Sequence, residues 1–283
     1  MSDLEACNMK NAQYRFLVRP QQRGLSLVEL MIGMALGLVV ILAVVYVFAG
    51  SRASYRHQES FSGVQEAGRI ALEVLGRDIR MAGNPGCGNL GVIEHRSAAI
   101  VPPEAQFSNA VAVTGNQGTL TVVRGSAESA LLAVQPASNQ IQVDNLAALG
   151  AVVAGDRLLL SDCVYSEVLT VNVVAGNLLT AAVDLSRQYR PGTQVMRLER
   201  IVFARSAANE LTRNGQPVVG GVTALEFQYG LVGPGTRSVQ EYASTPTLPQ
   251  LSSAVSVRTA LTVTQADVAM SFNNTVALRN RAP

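Results

Sequence analysis

Apolar and polar residues are arranged in three different ways along this chain. From Leu30 to Ala49 no residue is charged; the stretch reads LMIGMALGLVVILAVVYVFA. As a helix rising 1.5 Å per residue it spans roughly 30 Å, the thickness of a bilayer core. It is longer than the apolar core of an ordinary cleaved secretory signal, which is about 7–15 residues. From Ser51 to Met81 the period changes. Phe61, Val64, Gly68, Ala71 or Leu72, Leu75 and Ile79 recur at three- and four-residue steps, which marks one stripe of an amphipathic helix. Arg52, Arg56, Glu59, Glu66, Arg69, Glu73, Arg77 and Asp78 are expected largely off that stripe, and no Pro interrupts the chain between Leu25 and Met81.

After Met81 the run Ala82-Gly83-Asn84-Pro85-Gly86-Cys87 stops the helix. From about Ala110 onward, short runs rich in Val, Leu and Thr are bounded by Gly, Asn, Asp and Pro, a strand pattern. The expected strands are 119–124, 130–134, 140–143, 157–161, 167–174, 178–182, 194–204, 224–229, 254–264 and 275–278, with hairpin turns at Gly176-Asn177 and Asn214-Gly215. Residues 230–253 are rich in Gly, Pro, Ser and Thr and are expected to form a long loop, a candidate contact surface. A long N-terminal transmembrane and amphipathic helix packed on an antiparallel β-rich globular head is an α+β arrangement.

Charge adds an orientation. Lys10, Arg15, Arg19 and Arg23 precede the apolar span, against Asp3 and Glu5. Positive charge before a span keeps that end cytoplasmic, which puts the remainder of the chain in the periplasm of a bacterium. The overall balance, 22 basic against 20 acidic residues with no Trp, gives no basic funnel or stacking platform for nucleic acid. Catalysis has little footing. The two histidines, His57 and His95, have no Cys or His at metal-ligand spacing, and no cofactor motif stands out. Gly86 to Gly91 matches G-x-G-x-x-G in form, but it follows a helix instead of a strand. Within the span, Gly33 and Gly37 form a G-x-x-x-G, which allows close helix packing in lipid.

The junction before the span reads Arg23-Gly24-Leu25-Ser26-Leu27-Val28-Glu29-Leu30-Met31. It places a carboxylate, Glu29, at the edge of an otherwise apolar helix, where a charge is costly. A basic leader ending in Gly, then an apolar run carrying one Glu, resembles the signal of type IV prepilins. That resemblance implies cleavage by prepilin peptidase between Gly24 and Leu25 and N-methylation of Leu25. It also implies that Glu29 acts in assembly by pairing with the N-terminal amine of a neighbouring subunit. The expected organisation is a leader over 1–24, an anchor helix over 25–50, its amphipathic continuation over 51–82 and a periplasmic head over 83–283; Met9 offers an alternative start that shortens the leader.

Further residues resemble the PilW branch of minor pilins: Asp78-Ile79-Arg80-Met81-Ala82-Gly83 with Gly86-Cys87, Gly155-Asp156, Leu158-Leu159-Leu160, Ser161-Asp162-Cys163, and Thr275 to Arg281. This implies a structural subunit that primes pilus assembly and stays in the tip complex of the pilus at the cell surface. Its partners would be other minor pilins, the major pilin, the assembly platform and a large tip adhesin. A type II secretion pseudopilin shares the same junction. A pilin-anchored adhesin or ligand-binding module is the alternative of another class. With the leader and Cys7 removed, Cys87 and Cys163 are the remaining cysteines, and an oxidising compartment favours a disulfide between them.

Overall fold

The computed structural model describes residues 26–87, 93–96, 112–236 and 238–281. The chain divides into two units, Met1–Tyr55 and Arg56–Pro283. Helix α1 runs over Leu27–Arg80, 54 residues without a break, consistent with the absence of Pro.

In the second unit α1 buries one stripe: Val64, Gly68, Ala71, Leu75 and Ile79. These are residues of the expected stripe. Phe61, at its upstream end, stays 43% exposed, and Leu72 is only partly covered. Gly68 earns its place by space: a Cβ there would lie 2.4 Å from the ring of Phe272. The helix ends where Gly83 takes a left-handed φ of 69°, a backbone state that costs glycine little. The Gly83 amide then donates to Val123 O, and the Gly125 amide donates to Asn84 O. The helix exit is thereby sewn to a strand.

Fourteen strands among the described residues form two sheets. The larger contains β1 (Ile93–Arg96), β2 (Val113–Asn116), β3 (Thr119–Leu131), β4 (Gln140–Gln142), β5 (Arg157–Ser161), β6 (Ser166–Ala175), β7 (Leu178–Ala181), β8 (Gln194–Arg205), β9 (Glu210–Arg213) and β10 (Gln216–Gly220). Its main path is β10-β9-β8-β5-β6-β7-β4, with β3 also on β8, β2 on β3, and β1 on β6. All of these pairs are antiparallel except β1 with β6. The smaller sheet is β12-β11-β13-β14, with β11 at Val222–Val232, β12 at Val239–Ala243, β13 at Ala254–Gln265 and β14 at Val268–Ala277.

The strands differ from the sequence expectation in several respects: β3 joins the expected 119–124 and the start of 130–134 into one strand, and the expected 275–278 is the end of the longer β14. Strands β1, β2, β9, β10 and β12 are additional. Each is four or five residues long, too short for an alternating pattern to stand out. Residues 230–253 are not one long loop. They hold the end of β11, a turn at Pro234-Gly235, β12, and a helical turn at Leu248–Leu251 closed by a Thr247–Gln250 capping box.

The large sheet has a core on each face. On β5, Leu159 faces the core built around α1, while Leu158 and Leu160 face a second core with Ile141, Leu179 and Tyr189. On β8, Met196 and Val195 divide in the same way. Period-two alternation sends successive side chains to opposite faces, so a continuous Leu-Leu-Leu run is buried on both sides.

Asp78 departs from its expected place on the solvated side; it is buried. Its carboxylate accepts from Arg124 at 3.1 Å and from Arg213 at 2.8 Å, and Arg124 also reaches Glu199 at 3.1 Å. A buried charge is tolerated only when paired in this way. The cluster clamps the last turn of α1 to β3, β8 and β9.

Two outcomes are expected. Asp78→Ala leaves Arg124 and Arg213 without their shared counter-charge and should cost about 3 kcal/mol; a shift of the urea midpoint equivalent to under about 1 kcal/mol would show the cluster to be screened by solvent. Cys87 and Cys163 are joined in a disulfide across 76 residues. Replacing both with Ser should cost about 4 kcal/mol in the chain-entropy account. Both cysteines are exposed, so free thiols in the native, oxidised protein would be alkylated readily, and that result would rule out the bond.

Candidate functional site: the junction, the anchor and the head

The first described residue, Ser26, starts the anchor: the Leu30 amide donates to Ser26 O at 3.1 Å. Glu29 lies in the first turn of α1. There the leading amides lack helical partners and the dipole favours an anion by about 0.3–1 kcal/mol. A carboxylate in this turn is therefore held next to the start of the helix, four positions beyond Leu25. Gly24 and Leu25 lie outside the described residues.

Every residue from Leu27 to Ser51 is exposed within the chain. The helix carries a window of mean hydropathy 2.8, none of it buried. An apolar surface this long and this bare requires lipid or other apolar helices around it. Gly33 and Gly37 sit one helical turn apart, and a Cβ at either would meet nothing within 4 Å. They leave a shallow, open strip, which fits close approach by another helix. At the end of the span, the Arg52 guanidinium lies 4.5 Å from the centroid of the Phe48 ring. The positive charge thus begins where the apolar run stops.

In the head, Cys87 and Cys163 lie together at the tip of the β5–β6 turn. Asp162 shapes that turn by accepting from the amides of Val164 at 3.0 Å and Tyr165 at 2.7 Å. Cys163 takes a left-handed φ of 70° in that turn. A shallow cleft of about 440 Å³ beside the disulfide is lined by Gln188, Arg190, Thr193 and Gln194 among others.

The hydroxyls nearby are spent on structure. Ser161 Oγ is 3.0 Å from Ser166 Oγ, and Ser166 Oγ donates to Pro85 O at 3.3 Å. His57 is exposed on α1, and His95 falls on β1. Among the described residues no group of three His, Cys, Asp or Glu is placed to hold a metal ion. The G-x-G-x-x-G run extends outside the described residues.

Two polar clusters escaped the sequence reading. One is Asp78 with Arg124, Arg213 and Glu199. Its signal was present: Asp78 is three residues beyond Leu75 and seven beyond Ala71, which places it on the buried stripe. The other is Glu167, fully buried, which accepts from the Ser186 amide at 3.0 Å, from Ser186 Oγ at 2.8 Å and from Tyr189 OH at 3.0 Å. Burial first, and then the Glu167 charge, pushes the Tyr189 phenol well above its ordinary range, so it remains a donor. Burial alone does the same to Tyr229. Nothing local in the sequence marks the Glu167 cluster, because its members meet only through the sheet.

Residues 19–45 match the family model of the prokaryotic N-terminal methylation motif. No curated protein and no solved structure matches the chain. The matched segment contains Gly24, Leu25, Glu29, Gly33 and Gly37. With a long apolar N-terminal helix and a predominantly antiparallel β head, the match supports a type IV pilin-like protein, a class of structural subunits.

Proposed function

We propose that this chain is a minor pilin of the PilW type, a structural subunit that joins other minor pilins to prime pilus assembly and remains in the tip complex. The observation that carries the reading is the junction. A carboxylate stands in the first turn of an uncovered apolar helix, within a segment that matches the methylation motif. Prepilin peptidase cuts between Gly24 and Leu25 on the cytoplasmic face, and the apolar helix stays on the mature chain as a single-pass inner-membrane anchor with a periplasmic head.

The residues shared with the PilW branch have work in the head that supports the assignment. Asp78 anchors the helix end, Gly83 caps it, and Cys87 bonds Cys163. Leu158, Leu159 and Leu160 fill both cores. Val276 and Leu278 are buried in the core that α1 shares with the sheets, and Asn280 donates to Ala82 O at 3.0 Å. Several of the shared residues fasten α1 to the sheets.

Glu29 gives the assembly its register. Cleavage creates a charged amine on Leu25 within an apolar phase. A buried carboxylate and a buried amine are each costly alone and less so when paired. Glu29 pairs with the amine of the neighbouring subunit above, and so fixes the axial position of otherwise smooth helices. A subunit with nothing above it has no use for this carboxylate, so Glu29 favours a position beneath another minor pilin.

Two experiments test this reading. Mass spectrometry of the N-terminus of membrane protein should find a methylated chain starting at Leu25, and Gly24→Phe should leave the precursor uncut. A mature chain starting after Ala49, as an ordinary signal peptidase would leave it, would sink the prepilin reading. Glu29→Leu should still insert and be cleaved, because the span only becomes more apolar. It should lose co-purification with partner pilins and lower surface piliation. Normal piliation in that variant would reduce Glu29 to an interfacial residue. A secretion defect with intact pili would favour the pseudopilin.

A further inference from the structure

The Cys87–Cys163 disulfide lies at the surface, above groups that do not. Cys87, Cys163 and Val164 are exposed, whereas Pro85, Ser161 and Ser166 beneath them are buried. Both cysteines line the cleft of about 440 Å³, together with Arg190 and Asp162. The parts that the bond joins are also held without it. The Gly83 amide donates to Val123 O, the Gly125 amide to Asn84 O, and Ser166 Oγ to Pro85 O. These bonds fix the chain up to Pro85 on β3 and β6, so the disulfide can open while its two ends stay in place in the folded head.

The two sulfurs have unequal surroundings. Cys87 Sγ lies 3.9 Å from Ser161 O and 3.8 Å from Ser161 Oγ. The Cys163 sulfur has no such neighbour among the described residues. Next to it in the chain stands the Asp162 carboxylate, held in the same tight turn by the amides of Val164 and Tyr165. A thiolate at Cys163 therefore sits beside a negative charge, while a thiolate at Cys87 has a hydroxyl within reach. In the oxidised protein Ser161 Oγ bonds Ser166 Oγ at 3.0 Å. A thiolate is the stronger acceptor, because a charged partner strengthens a hydrogen bond, so the Ser161 proton turns to Cys87 once the disulfide opens. In thiol–disulfide exchange the sulfur better stabilised as an anion leaves, and the other one is attacked.

We propose that Cys163 is a thiol-exchange site of the folded head, at which an incoming thiol becomes attached while Cys87 is released. The thiol reacts as its thiolate, having given its proton to solvent. Its sulfur forms a bond to Cys163 Sγ, the bond between Cys163 Sγ and Cys87 Sγ breaks, and the electron pair leaves on Cys87 Sγ. That thiolate is met by the Ser161 hydroxyl, or takes a proton from solvent and donates to Ser161 O. The products are a mixed disulfide on Cys163 and a free thiol on Cys87, and the reverse step restores the native bond. The cleft is the entrance, and the Arg190 guanidinium that lines it offsets the Asp162 charge for an anionic reactant. The inference does not rest on the pilin reading.

The test uses the full oxidised chain with Cys7→Ser in lipid discs. It is incubated with excess reduced glutathione, quenched with N-ethylmaleimide and mapped by mass spectrometry. Glutathione on Cys163 with maleimide on Cys87 is expected in roughly tenfold excess over the reverse pattern. The rate should stay flat in urea below the unfolding transition, because attack needs no unfolding. Ser161→Ala should bring the two patterns close to parity. Asp162→Asn keeps an oxygen for the two turn amides and leaves the buried hydroxyls alone, and it should narrow the ratio by itself. The thermal transition of each oxidised variant shows whether the head is still folded. Glutathione mainly on Cys87, an even mixture in the parent chain, or a ratio unchanged in both variants would overturn the proposal. So would a rate that climbs with urea in step with unfolding, or an adduct found only on the urea-unfolded chain. Leader cleavage and piliation are read separately, so failure here leaves the pilin reading standing.

Discussion

Burial of one helical stripe organises the head. Val64, Ala71, Leu75 and Ile79 share a core with Leu120, Val122, Ile201 and Phe203 of the large sheet and with Phe227, Val257, Leu261 and Val276 of the small one. Among the described residues of this unit, the apolar partners of that stripe come from the two sheets and the segments that join them. Each buried Leu, Ile, Val or Phe gains about 1.5–3 kcal/mol from leaving water, so the stripe decides where both sheets must sit. Close approach is as necessary as apolarity. Gly68 lets the Phe272 ring onto the helix axis, and a methyl group there would collide with it.

Three fastenings act at the end of that helix. The Gly83 turn hands the chain to β3 through main-chain bonds, Asp78 ties the last turn to Arg124 and Arg213, and the disulfide holds Cys87 at the β5–β6 turn. They differ in physical kind. The disulfide acts mainly on the unfolded chain by shortening its reach. The ion cluster acts on the folded state and specifies position, since a slipped helix would strand a buried carboxylate. Together they keep the connection out of α1 from peeling away where the stripe runs out.

The anchor follows a contrary rule. Its side chains from Leu27 to Ser51 are uncovered by the chain itself, and the same apolarity that builds the head core elsewhere is left for lipid or for other helices. Lipid offers no hydrophobic gain for helix association, so contacts there depend on shape and on paired charge. In the proposed assembly Gly33, Gly37 and Glu29 supply these, and they are the features of the anchor that would distinguish one axial position from another.

Local sequence pattern is enough for the apolar span, the length of α1, its buried stripe and most of the longer strands, because each rests on a local period that neighbouring residues carry together. It also held the junction, where Gly24, Leu25 and Glu29 lie within a few residues of one another. Tertiary structure alone decided the rest. The strands of four or five residues exist because a longer neighbour offers them an edge. Residues 230–253 became a hairpin and a helical turn because β11 extends to Val232 and pairs with β12. Asp78 is buried because Arg124, 46 positions along, and Arg213, separated by 135, converge on it. Glu167 is buried because Ser186 and Tyr189 meet it through the sheet. Such partners share no period and no spacing; only folding brings their charges within 3 Å or so of one another, and at that distance desolvation is offset by pairing.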